Sequence, residues 1–287
     1  MKGIIIAAGY GTRFLPATKT IPKEMFPLID TPAIDFIIDE FIQSGINEIL
    51  IVSSRRKKTL EDYFDKEIEL ETVFAKENDS TKLKKIEVKK DLDGKDINIY
   101  FVRQKEMLGT GHAILICKDF IGENPFIIAY PDDLIFGNIP LAKQLIEIYN
   151  KTGGNVLATQ KVEGDVSRYG VVDYKEENDF FKMKKIVEKP KKGLEPSKVI
   201  SVGRYLFTNE LLKLLEKQFK EHKKGEFYHI DTINQLASDE KVYICNFSGE
   251  RIDVGDKLGY LEGIIYYALQ RDDLKDGAKN ILKKYLL

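Results

Sequence analysis

Residues 1–25 read MKGIIIAAGYGTRFLPATKTIPKEM. A short apolar strand over Lys2–Ala7 runs into glycines, prolines and cations, and the segments beyond it decide the fold. Its apolar core breaks at Gly9, short of the ~7–15 residues of an export signal, so we read it as a strand of the folded protein. Helical periodicity follows over Ala33–Gln43 with Gly45 as its stop, and Glu48–Val52 returns to an apolar run. These three segments predict a βαβ unit. Ile97–Val102, Gly111–Cys117 and Pro125–Ala129 repeat the alternation. That predicts an α/β fold with a mostly parallel sheet covered by helices on both faces.

From Asn155 the texture changes. Val156–Gln160, Gly170–Tyr174, Phe181–Val187 and Ser201–Phe207 are closely spaced strand patterns that predict antiparallel additions, making the sheet mixed. Helical patterns follow at Asn209–Lys217, Ile230–Ala237, Lys257–Leu269 and Gly277–Tyr285. The chain has 287 residues, more than the ~100–200 usual for one domain, yet no repeat or flexible linker divides it. We read it as one domain, with a first half over 1–135, a second over 136–255 and a helical segment over 256–287. Lys66 to Asp96 carries both signs of charge and predicts a solvated helical insertion.

With 45 basic and 46 acidic side chains the formal net charge is -1, so no global field favours nucleic acid or anionic lipid. Any anionic ligand needs local cations. Cys117 and Cys245 lie far apart and match no metal spacing, and buried thiols in a reducing cytoplasm are the expectation. No segment approaches the ~20 apolar residues needed to span a bilayer.

In an open parallel sheet, ligands bind beyond the carboxyl ends of the strands, where the opening loop sits. Its glycines match neither GxGxxG nor GxxxxGK[ST]. What it adds is Arg13, a planar fork, and Lys23, a point charge, suited to a polyphosphate. The alternative is a plain turn from strand to helix. A second strand, in IIAYPDDLIF, ends at Pro131 and delivers Asp132 and Asp133. Such a tip suits magnesium, which takes one or two carboxylates and completes its shell with water and substrate phosphates. A helix N-cap is the competing reading for Asp133.

In GERIDVGDKLGYL, Asp253 is the candidate second metal ligand, while Asp256 reads as the N-cap of the helix at Lys257. KIVEKPKKG ends a strand at Glu188 and Lys189, able to bind hydroxyls and phosphate respectively. RQKEMLGTGHAIL offers Gln104, whose donor and acceptor suit the edge of a pyrimidine. His112 begins a helix there without an evident partner. His222 and His229 likewise lack metal-ligand partners.

Taken in order, AAGYGTRFLPATKTIPKEM, VRQKEMLGTGHAI, PDDLI, YGVV, VEKP, VGRY and DVGDKLGYL resemble the motif series of the sugar-phosphate nucleotidyltransferases over essentially the whole chain. The resemblance implies a Rossmann-like three-layer α/β/α nucleotidyltransferase fold in a homo-oligomer, dimer or tetramer, and the thiols and the absence of a bilayer-length apolar segment set the expectation that it is cytoplasmic. It further implies a Mg2+-dependent enzyme making UDP-glucose and pyrophosphate from UTP and glucose 1-phosphate. By that resemblance Ala7, Ala8, Gly9, Gly11, Gln104 and Gly109 would hold the nucleotide, and Arg13 and Lys23 the triphosphate and departing pyrophosphate. Asp132 and Asp253 resemble the magnesium ligands. Glu188 resembles the binder of glucose hydroxyls and Lys189 that of the sugar phosphate, with Gly170 and Gly203 lining the sugar pocket. GEFYHIDTI departs from the commoner Gln-Leu-Thr-Asp pattern by placing His229 and Ile230 before Asp231.

Such a reaction needs no general base, because a sugar phosphate with a second pKa of about 6 is already an anionic nucleophile. Catalysis would come from positioning and charge neutralisation. The rivals are the same chemistry on dTTP or another sugar 1-phosphate, and a non-catalytic sugar-nucleotide sensor. A dehydrogenase lacks its glycine fingerprint here.

Overall fold

In a computed structural model, residues 1–286 are described. Strand β1 (Lys2–Ile6) leads through three 3-10 turns (Thr12–Phe14, Ala17–Lys19, Lys23–Met25) and the short pair β2 (Pro27–Leu28) and β3 (Thr31–Pro32) into helix α1 (Ala33–Gln43). Strand β4 (Glu48–Ser53) and helix α2 (Lys58–Phe64) follow. Next come α3 (Ile68–Lys76), α4 (Ser80–Ile86), β5 (Asn98–Arg103), α5 (Thr110–Leu115), α6 (Lys118–Ile121) and β6 (Phe126–Ala129). The second half runs β7 (Asp133–Phe136), α7 (Leu141–Thr152), β8 (Asn155–Lys161), β9 (Gly170–Glu177), β10 (Phe180–Glu188) and β11 (Val199–Phe207). It closes with α8 (Asn209–Glu221), α9 (Ile230–Ser238), β12 (Val242–Asn246), β13 (Glu250–Asp253), α10 (Lys257–Gln270) and α11 (Lys275–Tyr285).

One sheet crosses both halves in the order β5-β4-β1-β6-β11-β8-β12-β10-β9. Its first four strands are parallel, and antiparallel pairing begins where β11 meets β6. The mixed sheet follows from burial. Residues Ile4, Ile5 and Phe126 to Ala129 are shielded on both faces, so β1 and β6 are continuous apolar runs rather than alternating ones. Ile5, Ile127 and Ala129 pack with α1 and α7 on one face, and Ile4, Phe126 and Ile128 with α5, α8 and α9 on the other. That is the expected three-layer arrangement.

The insertion after α2 is helical, as its charge pattern predicts, and Lys89 anchors it at 2.8 Å from both Asp35 and Asp39 of α1. Helix α7 and strands β7, β12 and β13 have no counterpart in the sequence reading. Both cysteines are free and buried, and no helix among the described residues is long and apolar enough to cross a membrane.

Candidate functional site

The parallel strands β1, β4, β5 and β6 end on one edge of the sheet, and the loops beyond them carry most of the singled-out residues. Ala7 and Ala8 are buried at the root of the first loop, where the Ala7 N–H donates to the Val52 carbonyl at 2.9 Å. Gly9 beyond them has open space over its α-carbon. At Gly11 the Thr18 hydroxyl donates to the carbonyl at 2.8 Å, folding the loop back on itself. Arg13 and Lys23 thereby reach across to distant parts of the chain. Arg13 donates to the Gly255 carbonyl at 3.4 Å, and Lys23 forms an ion pair with Asp132.

Asp132 and Asp253 are brought together by the antiparallel pair β7 and β13, in which Asp253 lies opposite Asp133, and by the Val254 N–H donating to the Asp132 carbonyl at 2.8 Å. Gly255 shows how close the carboxylates come. A Cβ there would lie 2.7 Å from Asp132 Oδ2 and 2.9 Å from Asp253 Oδ1. Two carboxylate oxygens thus lie within about 3 Å of one point beside Gly255, too close for any side chain there, and such a pair is a donor set that suits a small hard cation. Among the described residues no three His, Cys, Asp or Glu side chains form a cage, so the remaining ligands of such a cation would be water or substrate oxygens. Burial pushes the Asp132 carboxyl up, but the charge and hydrogen bond of Lys23 outweigh it and hold the carboxyl below its usual range.

Asp133 departs from the N-cap expectation. The chain after Pro131 continues as a strand, so there is no helix to cap. Its Oδ2 accepts the Gly203 N–H at 2.8 Å and its Oδ1 accepts Arg251 Nε at 2.6 Å. Burial pushes this carboxyl up despite Arg251. Arg251 was missed by the sequence reading, although it lies two residues before Asp253 and so on the same strand face. It reaches Asp253 Oδ2 at 3.7 Å as well.

Gln104 and Gly109 adjoin, and they correct two expectations. The Gln104 amide donates to the Gly109 carbonyl at 3.0 Å, which fixes its orientation, and lies 3.1 Å from His112 Nδ1. Its donor is therefore spent inside the loop, leaving the carboxamide oxygen, and His112 does have a partner. Gly109 sits at φ +94° with a Cβ position 2.5 Å from the Phe227 carbonyl oxygen, which only glycine allows.

The remaining residues form a second group. Gly170 pairs with Glu188 across β9 and β10, its Cβ position 3.0 Å from Glu188 Oε2. Lys189 follows at φ +46°, its N–H donating to the Tyr169 carbonyl at 3.0 Å and its ammonium 3.7 Å from Glu188. Gly203 backs the strand tip, its carbonyl accepting the Tyr130 N–H at 2.9 Å. Tyr130 links the groups, since its phenol, raised chiefly by burial, feels both Asp132 and Glu188.

Beneath Lys23 lies a buried pair that the sequence reading also missed. Lys57 Nζ donates to both carboxylate oxygens of Glu24 at 2.8 and 2.7 Å. Lys19, Lys23, Arg56 and Lys57 line a cleft of about 220 Å³ together with Thr12 and Thr18. A larger hollow of about 750 Å³ lies between α2 and the segment before β5, away from all of these residues and lined by acids and lysines. Four cations line the smaller cleft, two of them, Lys23 and Lys57, paired with Asp132 and Glu24.

The sequence profile described as Nucleotidyl transferase matches residues 2–268. The chain belongs to that family. Relatives of this nucleotidyl transferase include the UTP--glucose-1-phosphate uridylyltransferases of Staphylococcus epidermidis and Staphylococcus haemolyticus, each 42% identical over 285 residues, covering 99% of this chain and 97% of theirs. Among solved structures it resembles the UTP-bound UGPase from Acinetobacter baumannii, with TM-score 0.89, 32% identity and 99% of each chain covered. A UDP-glucose pyrophosphorylase complexed with UDP-glucose aligns at TM-score 0.81 and 34% identity, over 94% of this chain and 99% of that one. The nucleotidyl transferase thus carries the fold that its motif order implies.

Proposed function

We propose that this nucleotidyl transferase makes UDP-glucose and pyrophosphate from UTP and glucose 1-phosphate, in a cytoplasmic homo-oligomer built from one domain per chain. The observation that carries the reading is the meeting of Arg13, Lys23, Asp132 and Asp253 around Gly255. The names of its relatives and structural neighbours support the substrate pair. Free buried thiols support a reducing compartment. Leu258, Leu261, Ile281 and Tyr285 of the helical segment stand exposed, which supports a contact between copies.

Ala7, Ala8, Gly9 and Gly11, with the Gln104 oxygen and Gly109, receive the nucleotide. Asp132 and Asp253 would hold Mg2+, which when bound supplies positive charge beside the phosphates. Lys23 exchanges Asp132 for a phosphate oxygen as the triphosphate enters, and Arg13 turns its fork from the Gly255 carbonyl toward the same anion. Glu188 accepts hydrogen bonds from glucose hydroxyls beside Gly170 and Gly203. Lys189, whose side chain is largely exposed, neutralises the sugar phosphate. That phosphate attacks the α-phosphorus in line with departing pyrophosphate, for which the four-cation cleft is the exit pocket.

A pyrophosphate-release assay crossing four nucleoside triphosphates with several sugar 1-phosphates, with and without magnesium, tests this. Turnover should be greatest with UTP and glucose 1-phosphate. Silence with every pair would sink the enzyme reading, and a preference for dTTP would shift the base assignment.

A further inference from the structure

One buried contact ties the base-side loop to the sugar-side strand. His229 precedes α9 and is 4% exposed, and its Nδ1 lies 2.8 Å from Thr110 Oγ1. Thr110 begins α5 directly after Gly109. Two residues before His229, Phe227 donates its N–H to the Leu108 carbonyl at 2.6 Å and accepts the Gly111 N–H at 2.9 Å. On the other side, the Asn234 side chain grips the Ile186 N–H and carbonyl at 2.7 and 3.0 Å, two residues before Glu188. The segment over 227–234 is therefore fastened at one end to the loop of Gln104 and Gly109, and at the other to β10.

His229 Nε2 is buried without a hydrogen-bond partner among the described residues, and the buried Tyr130 hydroxyl faces Thr110. Burial pushes the imidazole down to about 4, so the ring is neutral near pH 7. The tautomer that carries its proton on Nδ1 donates to Thr110 and leaves Nε2 as an unpaired acceptor. The other tautomer would bury an unpaired N–H, which folded proteins tolerate less well.

We propose that the Thr110–His229 hydrogen bond positions the loop of Gln104 and Gly109 for the nucleotide, by tying it to the segment that also braces the strand ending at Glu188. His229 is here a positioning residue acting through Thr110, and the proposal rests on the base-side reading of that loop. Losing one such bond should raise KM for UTP about five- to tenfold in Thr110→Val, with kcat changed by less than about twofold. Thr110→Ser keeps the hydroxyl and should stay near wild type.

The double variant Thr110→Val with His229→Leu separates positioning from packing. Apolar groups in place of both partners should restore much of the melting temperature lost in a single variant. The raised KM should persist. Recovery of KM along with stability would overturn the proposal, as would a Thr110→Ser enzyme as impaired as Thr110→Val. Gln104→Leu serves as the control. If it raises KM for UTP while Thr110→Val does not, the coupling is wrong; if neither moves KM, the base-side reading falls and the proposal falls with it.

Discussion

At the scale of single residues, Asp132 and Lys189 are the sharpest tests of the proposed chemistry. Removing one preorganised charge from a phosphoryl-transfer site typically costs about 10²-fold or more in turnover. Asp132→Ala and Lys189→Ala should each lose that much in pyrophosphate release, with an unchanged circular dichroism spectrum; near-normal kinetics would remove the residue from the mechanism. His229 gives a second test, in stability. Its folded pKa lies below the unfolded value, so acidification protonates the unfolded chain first. The stability it contributes is complete above pH ~6.5 and falls toward pH 4, by ~3 kcal/mol for a shift of this size. Urea unfolding at pH 7 and pH 4.5 should show a smaller loss in His229→Leu than in the parent.

Arg13, Lys23, Asp132 and Asp253 were legible in the sequence because each stands on a loop or strand tip whose local pattern is unusual: glycines with cations, or adjacent acids after an apolar run. Their partners were not. Glu24 and Lys57 are 33 residues apart, Thr110 and His229 are 119 apart, and neither pair leaves a periodic trace.

At the scale of elements, the caps show which local rules hold. Asp256 is the N-cap of α10, its Oδ1 accepting the Leu258 and Gly259 N–H groups at 3.0 Å each. The same sequence logic failed at Asp133, because pairing with β13 drew the chain into a strand. Asp256→Ala should cost about 1 kcal/mol in denaturant unfolding. Because the Asp256 carboxylate is taken up by the first-turn N–H groups of α10, kcat should stay within about threefold of wild type. A collapse in activity without a loss of stability would place Asp256 in the site instead. The alternation of strands and helices in the first half was readable for the same local reason that caps are. Strand order in the second half was not, since β12 inserts between β8 and β10 through contacts that no neighbouring residue announces.

Across the whole molecule, Arg204 holds the layers together beneath the site. Its guanidinium is fully buried and meets both Glu40 oxygens at 2.9 and 2.8 Å, while also donating to the Gly203 and Asp133 carbonyls. Helix α1, strand β11 and the tip bearing Asp133 are thus joined at one side chain. Arg204→Met would strand a buried carboxylate, and removal of one member of such a pair typically costs about 3–5 kcal/mol. Arg204→Met with Glu40→Leu should recover much of that, as judged by urea midpoints. No recovery would mean that the two backbone carbonyls, and not the ion pair, carry the cost.

Lys189 stands in the left-handed region directly before Pro190, a placement that costs a lysine of order 1–3 kcal/mol and a glycine far less. Selection for folding and selection for turnover therefore pull this codon in opposite directions. A library randomised at position 189 and sorted only for resistance to heat should drift toward glycine, while one sorted for UDP-glucose production should return to lysine.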